Sequence, residues 1–291
     1  MRWLVTGASG FTGRWLLRRL QALGHEATGA GLGDGDALRC DLTEPTSVRR
    51  AVLDFKPDRV VHLAAISFVA HPRPEEFARV NVAGTIHLLE ACAALPNPPA
   101  VALASSAAVY GRAAGHIGEG APCAPVSEYG RSKHAMELAA AAWAARFPAL
   151  VITRPFNYTG PGQGEHFLVP KIAAAFRRRD AVLTLGRIDV ARDFSDVRDV
   201  VEDYVRLLGP EPAAGVVNLC SGRATTVEEI IAIFSRLTGH HPAIETDLAL
   251  VRPDEIVRLT GDPARLVALT GRGHDIGLER TARDLLPEGA P

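Results

Sequence analysis

A tyrosine and a lysine four residues apart, Tyr129 and Lys133, are the side chains of this sequence best suited to proton transfer. They begin a stretch with helical character, YGRSKHAMELAAAAWAARF, and a spacing of four places two side chains on one face of a helix. A nearby ammonium group stabilises a phenolate and lowers a tyrosine pKa from about 10. The pair therefore predicts a tyrosine that exchanges protons near neutral pH.

The same spacing also arises by chance, as an exposed tyrosine and lysine on an amphipathic helix. Lysine is rare in this chain, because only Lys56, Lys133 and Lys171 occur among 32 lysine and arginine residues. Arginine cannot replace lysine as a compact ammonium group whose charge can be tuned. A lysine at this spacing therefore favours the functional interpretation.

A serine, Ser106, stands at the end of the apolar run AVALASS, ahead of the tyrosine helix. Its hydroxyl can hydrogen-bond a substrate oxygen without a change of charge. The alternative is a serine that satisfies the backbone of a loop. We expect Ser106 to face the same cleft as the tyrosine and the lysine.

A glycine-rich turn, TGASGFTG, follows the first apolar run directly and opens the next helical stretch. Glycine lets the backbone approach a pyrophosphate, and a helix N-terminus offers unpaired N–H groups and a favourable dipole. In this context the turn predicts a dinucleotide-binding site. The residues expected to contact the cofactor there are Gly7, Ser9, Gly10, Phe11, Thr12 and Gly13.

The second strand is expected to select the dinucleotide, through an acid for the adenosine ribose or a base for a 2′-phosphate. That position falls within Ala30, Gly31 and Leu32, none of which is charged, so NADH and NADPH both stay open. Asp41 and Leu42 follow the third run and are candidates for contact with adenine. Asp41 is equally well explained as the residue of a surface turn.

These side chains need a framework that brings them together, and the first 155 residues have the pattern of one. Short β-rich runs alternate with helical patterns at 12–23, 45–55, 75–94 and 129–146. The alternation predicts an α/β fold with a doubly wound parallel Rossmann sheet, whose ligands bind beyond the carboxyl ends of the strands. All of the residues singled out above follow such runs.

The pattern changes after Pro155. The glycine- and proline-rich segment 156–166 predicts a loop. Helices are expected near 167–179, 196–208 and 226–238, with a strand at VVNLC. We expect residues 1–155 to form a dinucleotide-binding domain and residues 156–291 a smaller mixed α/β part that binds substrate, with room for some of this chain to return to the first domain.

Composition and charge disfavour several other classes of protein. A hydrophobic content of 47% with 22% charged residues is that of a globular protein, and a net charge of −1 disfavours nucleic-acid binding. No stretch reaches the roughly 18 apolar residues of a membrane helix. The four cysteines lack C-x-x-C spacing, which argues against a metal site and disulfides and favours the cytoplasm.

Taken in order, the motifs resemble the extended short-chain dehydrogenase/reductases that act on nucleotide sugars. TGASGFTG, HLAA at 62–65, NVAGT at 81–85, SSAAVYG and the tyrosine–lysine pair occur in the family's order, within residues 3–270. The resemblance implies that Tyr129 is the acid and base, that Lys133 holds the cofactor ribose, and that Ser106 positions the reacting oxygen. It also implies cofactor contacts from Leu63, Ala64, Ala65 and Asn81.

Two alanines separate this chain from the dehydratases of that family, which carry acidic residues directly after the serine or threonine. Ala107 and Ala108 occupy those positions, and neither transfers a proton. The segments RPFNYTGPGQ, GRIDVARDFSDVRDV, VVNLCSG and VRPDEI most resemble reductases that convert a GDP-4-keto-6-deoxy-mannose to GDP-rhamnose. The residues then expected to bind the nucleotide sugar are Asn157, Lys171, Arg192, Arg252 and Glu255.

Some of these residues have a purely structural explanation. Arg192 is also suited to an ion pair with Asp193 or Asp196, whereas Asp196 and Asp199 are suited to capping the following helix. His62 lies inside an apolar run and is predicted to be a buried histidine with satisfied hydrogen bonds.

The expected function is that of a reductase that uses NADPH or NADH to reduce the 4-keto group of a nucleotide sugar. The alternatives are a 4-epimerase that retains NAD and, from another class, a non-catalytic dinucleotide sensor. The alanine-rich helix at 135–145 is apolar on nearly all sides, which predicts a homodimer with this helix in its interface.

Overall fold

The computed structural model describes residues 1–67, 73–251 and 256–287. Strands alternate with helices along the first half of the chain, as the sequence predicted. The strands are β1 (Arg2–Thr6), β2 (Glu26–Gly31), β3 (Leu38–Arg39), β4 (Arg59–His62), β5 (Ala100–Ala104), β6 (Gly115–Ile117), β7 (Leu150–Pro155), β8 (Asn157–Thr159), β9 (Val182–Leu185), β10 (Ala191–Asp196), β11 (Gly215–Leu219), β12 (Ala224–Thr226), β13 (Ala243–Thr246) and β14 (Arg258–Gly261).

The helices that connect the strands are α1 (Phe11–Ala22), α2 (Pro45–Phe55), α3 (Glu75–Phe77), α4 (Gly84–Ala93), α5 (Glu128–Ala141), α6 (Leu168–Arg178), α7 (Val197–Leu207), α8 (Val227–Thr238), α9 (Ala264–Thr270) and α10 (Leu278–Leu285). The helices up to α8 lie close to the predicted positions, although α5 ends five residues early, and α9 and α10 were not predicted. A π-helical segment, Ala78–Ala83, joins α3 to α4. None of the helices in the described parts of the chain has the length and apolar character needed to cross a membrane.

Seven parallel strands form the main sheet, in the order β11-β7-β5-β4-β1-β2-β3. The chain moves outward from β1 through β2 to β3 and then crosses back to β4, so the winding direction reverses between β1 and β4. Ligands of doubly wound sheets bind beyond the carboxyl ends of the strands at such a point. The predicted α/β fold with a Rossmann sheet is confirmed.

Continuous apolar runs form the central strands because both faces of the sheet are covered by helices. On one face, α2, α4 and α5 pack over Val60, Val101 and Leu103. On the other, α1 and α7 pack over Val5 and Val61. The strand β11 joins the edge of this sheet through β7 although it lies beyond residue 155.

The rest of the chain forms smaller elements beside the carboxyl ends of the main strands. A second sheet has the order β12-β10-β14-β6, and β9 pairs with β13. The helices α6, α8 and α10 share a further apolar cluster around Phe176 and Phe234.

The prediction of a loop throughout 156–166 is wrong at its start. Asn157, Tyr158 and Thr159 form the strand β8, which pairs in parallel with Phe194, Ser195 and Asp196 of β10. The glycines and prolines that indicated a loop come after this strand, beginning at residue 160. The short strand therefore ties the end of the main sheet to the second sheet.

Candidate active site

One large cavity, about 1360 Å³ in volume, lies across the carboxyl ends of the strands at the point where the winding reverses. The glycine-rich turn forms one end of its wall, and β8, α6 and β10 form the other. The predicted site residues that line it are Gly7, Ser9, Gly10, Phe11, Thr12, Gly13, Asp41, Leu42, Leu63, Ala64, Ala65, Ser106, Tyr129, Lys133, Asn157, Lys171 and Arg192. These residues come from eight separate segments, and most of them meet because the parallel strands of the main sheet end at a common edge.

The glycine-rich turn is close-packed against neighbouring backbone. Gly7 has a positive φ of 69°, and a Cβ atom there would lie 2.8 Å from the backbone of Ala64. At Gly13 a Cβ atom would lie 2.4 Å from the Gly7 carbonyl oxygen. The first turn of α1 carries no acidic residue, and Gly10 has no side chain to cap it. Its N–H groups and the helix dipole therefore suit the diphosphate of a dinucleotide.

Tyr129 lies in the first turn of α5. Ser127 caps this helix, because its side chain accepts a hydrogen bond from Gly130 N at 3.0 Å. The Ser106 side chain lies close enough to the Tyr129 hydroxyl to favour its ionised form. Ser106 Oγ accepts a hydrogen bond from Ala108 N at 3.1 Å, which fixes the serine at the end of β5. Ser106 therefore both satisfies the backbone of the loop and lines the cavity.

The pKa of Tyr129 is raised to about 12, mainly by burial, although the nearby Ser106 side chain opposes the rise. The predicted lowering of this pKa by Lys133 is wrong for the protein without ligands. The Lys133 Nζ atom lies 6.0 Å from the centre of the Tyr129 ring and donates a hydrogen bond to Ala104 O at 2.7 Å. Desolvation therefore dominates the pKa of Tyr129, and the residue is a neutral phenol at pH 7.

Lys133 is itself buried, and burial lowers its pKa to about 8 against the opposing charge of Glu137. An ammonium group has three N–H donors, of which Ala104 O takes one. The remaining donors face a cavity that Lys133 lines. The residue can thus hold hydroxyl oxygens of a bound molecule.

A buried ion pair lies beneath these residues. Arg154 Nη2 donates to Glu137 Oε2 at 2.6 Å, and the two side chains are only 7% and 6% exposed. Ser105 Oγ also donates to Glu137, and Arg154 Nη1 donates to the Tyr110 hydroxyl at 3.0 Å. This network fixes α5 against β5 and β7. The sequence analysis missed it, since only the position of Glu137 one turn after Lys133 hints at it.

Three ligand atoms of Cys123, His134 and Glu137 lie within 4.8 Å of one another. Both carboxylate oxygens of Glu137 already accept hydrogen bonds, from Arg154 and from Ser105. We therefore assign the Glu137 carboxylate to its ion pair with Arg154 and not to a metal site with Cys123 and His134.

His62 is buried, as predicted, and its ring is bonded on both sides. The Thr85 hydroxyl donates to Asn81 O at 2.7 Å, so it accepts from His62 Nε2 at 3.0 Å. On the other side the Thr6 hydroxyl lies 2.6 Å from His62 Nδ1 and accepts from Ala64 N at 3.3 Å. Burial, and next the charge of Lys133, lower the pKa of His62 to about 3.

Asn81 does not contact the cavity in the way that the resemblance implied. Its side chain is buried and is not among the described residues that line the wall. Its amide accepts from Ile66 N at 2.9 Å and donates to Ile66 O at 3.1 Å and to Ser132 Oγ at 3.0 Å. Asn81 therefore positions the loop after β4 against α5, from a π-helical segment of the kind often found beside functional sites.

The opposite end of the cavity carries the residues expected to bind a nucleotide sugar. Lys171 donates to Thr184 O at 2.9 Å, and Arg192 donates to Ala191 O at 3.0 Å. His166 and Arg187 line the same end and were missed, because no motif marks them. Arg252 and Glu255 lie outside the described residues.

The acids near Arg192 serve other partners. Asp193 accepts hydrogen bonds from Ser221 N, Gly222 N and Gly261 N. Asp196 caps α7, as predicted, by accepting from Arg198 N at 2.8 Å. The same expectation for Asp199 is wrong, since its carboxylate accepts from Ile276 N and Arg272.

A Rossmann sheet, a phosphate-binding turn and a serine–tyrosine–lysine group in one cavity define a nicotinamide-dependent enzyme. Residues 3–220 match the NAD dependent epimerase/dehydratase family, and the chain belongs to this family. The predicted resemblance to this family of nucleotide-sugar enzymes is confirmed, and the cofactor is NAD(H) or NADP(H).

Two curated relatives and one solved structure can be compared over almost their full length. The chain is 34% identical to the GDP-6-deoxy-D-talose 4-dehydrogenase of Aggregatibacter actinomycetemcomitans, over 94% of this chain and 92% of that protein. It is 33% identical to the GDP-6-deoxy-D-mannose reductase of Pseudomonas aeruginosa, over 99% and 96%. The solved structure of RMD from Pseudomonas aeruginosa complexed with NADPH is 33% identical, with a TM-score of 0.88 over 98% of this chain and 96% of that chain. The chain is thus a nucleotide-sugar enzyme.

Proposed function

We propose that this protein is a reductase of a nucleotide 4-keto-6-deoxy sugar, of the type that converts GDP-4-keto-6-deoxy-mannose to GDP-rhamnose. The observation that carries the proposal is that Ser106, Tyr129 and Lys133 line the same cavity as the glycine-rich turn and the cationic side chains. One end suits a dinucleotide diphosphate, and the other carries cationic side chains. The names of the two curated relatives support the GDP-linked 6-deoxy sugar.

The proposed catalytic residues have the charge states that a ketone reduction requires. The hydride for the C4 carbonyl carbon would come from a reduced nicotinamide bound at the dinucleotide end of the cavity. Tyr129, whose pKa of about 12 keeps it protonated, donates its phenolic proton to the developing alkoxide. Ser106 donates a hydrogen bond to the same oxygen. Lys133, with a pKa of about 8, is mostly charged at pH 7 and stabilises the phenolate that remains.

A dehydratase is not proposed, because the positions after Ser106 carry no acid. Ala107 and Ala108 follow the serine in a single 3-10 turn. Elimination of water from the sugar needs a further acid and base, and methyl side chains supply neither. Reduction of a carbonyl needs one proton donor, and Tyr129 is suited to that role.

The substrate diphosphate is assigned to the cationic end of the cavity. Lys171 and Arg192 line this end together with Asn157, which is exposed at the start of β8. Arginine suits phosphate because its planar group donates paired hydrogen bonds. Arg252 and Glu255 stay in the proposal on the sequence resemblance alone.

The reaction is tested by incubating the protein with GDP-4-keto-6-deoxy-mannose and NADH or NADPH and determining the configuration of the product at C4 by NMR. We expect GDP-rhamnose, with one reduced cofactor consumed per sugar. The C4 epimer, GDP-6-deoxy-talose, would retain the reductase assignment and refute the rhamnose product. Isomerisation of a nucleotide sugar without net cofactor oxidation would identify the 4-epimerase instead. Absence of turnover with any 4-keto sugar would favour the dinucleotide sensor.

We also propose that the protein is a homodimer in which α5 contributes to the interface. Leu138 on this helix is 64% exposed, and an interface formed by α5 would bury this side chain. Light scattering at micromolar concentration should give twice the chain mass, and Leu138→Glu should shift it toward the monomer. A monomeric wild type would refute this arrangement.

We retain the division into a dinucleotide part, 1–155, and a substrate part, 156–291, with α7 and β11 packed on the first sheet. The cavity would then lie between the two parts. We also propose a cytoplasmic setting, for which the four free cysteines are the support.

A further inference from the structure

We propose that Asp36 makes this enzyme select NADH over NADPH, by accepting a hydrogen bond from the 2′-hydroxyl of the adenosine ribose. The inference concerns the cofactor alone and holds whichever sugar is reduced. It names a residue outside the three positions that the sequence analysis considered, Ala30, Gly31 and Leu32.

The loop after β2 returns the Asp36 carboxylate to the glycine-rich turn. Asp36 Oδ1 accepts a hydrogen bond from Ser9 N at 3.1 Å. Asp36 Oδ2 accepts from Ser9 Oγ at 3.1 Å and from Gly33 N at 2.9 Å. Since Asp36 also lines the cavity, the carboxylate lies at the dinucleotide end, beside the turn that suits the diphosphate.

Two glycines make the space that this carboxylate occupies. A Cβ atom at Gly31, the last residue of β2, would lie 2.4 Å from Asp36 Oδ2. A Cβ atom at Gly33 would lie 2.3 Å from Ser9 Oγ. A strand end without a side chain cannot itself supply the acid, so the loop supplies it from five residues further along. The position is the one where Rossmann proteins place the residue that reads the adenosine ribose.

The remaining hydrogen-bonding capacity of Asp36 fits a hydroxyl donor. A carboxylate offers about four acceptor sites, and the three bonds to Ser9 and Gly33 leave one of them on Oδ1. A ribose hydroxyl can donate to this site. A 2′-phosphate carries only acceptor oxygens and negative charge, so the carboxylate would repel it.

Cationic groups at this end have other partners. Arg14 donates to the carbonyl oxygens of Ser9 and Gly162, at 2.7 and 3.1 Å. Arg79 and Arg39 contribute to the lowered pKa of Asp41, after the hydrogen bonds from Thr43. These three arginines are the groups that would have to reorganise to bind a 2′-phosphate.

The test is a fluorescence titration of the sugar-free protein with NADH and with NADPH, which separates this inference from the proposed reaction. We expect wild type to bind NADH about tenfold more tightly than NADPH or better, as a charged hydrogen bond and a like-charge repulsion together imply. Asp36→Asn should bring the two affinities within about threefold, chiefly by improving NADPH, because the repulsion is removed. Asp34→Asn, at an exposed acid of the same loop, should keep the wild-type ratio.

Two results would overturn the inference. One is a wild type that binds NADPH as tightly as NADH, which would show that the arginines accommodate the 2′-phosphate. The other is an Asp36→Asn protein with the wild-type ratio and an unchanged circular dichroism spectrum. If that variant does not fold, the wild-type ratio alone still decides the inference.

Discussion

Acid conditions should destabilise this protein through His62, the histidine bonded between Thr6 and Thr85. The bonds in the folded state suit a neutral ring with its proton on Nε2, because the Thr85 hydroxyl is committed to Asn81 O as a donor. A second proton would have to enter at Nδ1, against the hydrogen that Thr6 directs there. The folded pKa is about 3, compared with 6.5 for an unperturbed histidine.

The sign and size of the effect follow from proton linkage. Above pH 6.5 the histidine is neutral in both states, so it adds no pH dependence. Between pH 6.5 and about 3 the unfolded chain binds a proton that the folded protein does not, so stability falls as the pH falls. At about 1.4 kcal/mol per pH unit, the loss between pH 6.5 and 5 is about 2 kcal/mol.

Urea unfolding of wild type and His62→Gln at pH 7.5 and at pH 5 measures this contribution. The variant should be less stable at pH 7.5, because its side chain cannot bridge both threonines, but it should lose about 2 kcal/mol less than wild type on acidification. His241→Gln, at an exposed histidine, should behave as wild type does. Equal losses in wild type and His62→Gln would refute the assignment of a neutral, buried His62.

Three further substitutions test the site and its support. Gly13→Ala should weaken NADH binding at least about tenfold, since its Cβ atom would meet the Gly7 carbonyl, whereas Gly35→Ala, with no atom within 4 Å, should bind as wild type in the same titration. Glu137→Gln should lower the free energy of unfolding by about 3–5 kcal/mol in urea, because Arg154 keeps a buried charge without its partner; a loss below about 1 kcal/mol would contradict this. Ser106→Ala should reduce kcat about 100-fold or more with cofactor affinity unchanged, and a wild-type rate would remove Ser106 from the mechanism.

Sequence pattern was sufficient for the main sheet because its strands are buried on both faces. Runs such as the one that forms β5 are apolar throughout and alternate with longer helical stretches, so the alternation identifies them. The strand β8 could not be found this way. It has only three residues, is followed directly by a glycine- and proline-rich turn, and exists because β10 supplies its hydrogen bonds.

The identity of the tyrosine and lysine was predictable, but their electrostatics were not. Spacing shows that Tyr129 and Lys133 share a helix face, and it says nothing of how far each is desolvated. Burial raises the pKa of Tyr129 and lowers that of Lys133, and both directions depend on the packing of α5 against β5. The prediction that Lys133 lowers the pKa of Tyr129 considered only the charge of the lysine and left out the burial of both side chains.

Residues that act through a returning loop or across the sheet were also out of reach. Asp36 lies five residues beyond the end of β2, where the motif places the acid. Only the structure shows that its carboxylate comes back to the glycine-rich turn, through space that Gly31 and Gly33 leave open. Glu137 and Arg154 are 17 residues apart and meet because α5 packs on the sheet. Neither pairing has a spacing that a sequence pattern could reveal.

The central claim, that Tyr129 delivers the proton to the reduced oxygen, is tested most directly by Tyr129→Phe in a stopped-flow assay of reduced-cofactor absorbance with the keto sugar. We expect this variant to bind NADH as wild type does and to lose turnover by at least about 100-fold. Tyr204→Phe removes a buried hydroxyl bonded to Thr153 in the core and serves as the matched control, with turnover retained. A Tyr129→Phe protein that oxidises the cofactor at the wild-type rate would contradict the account.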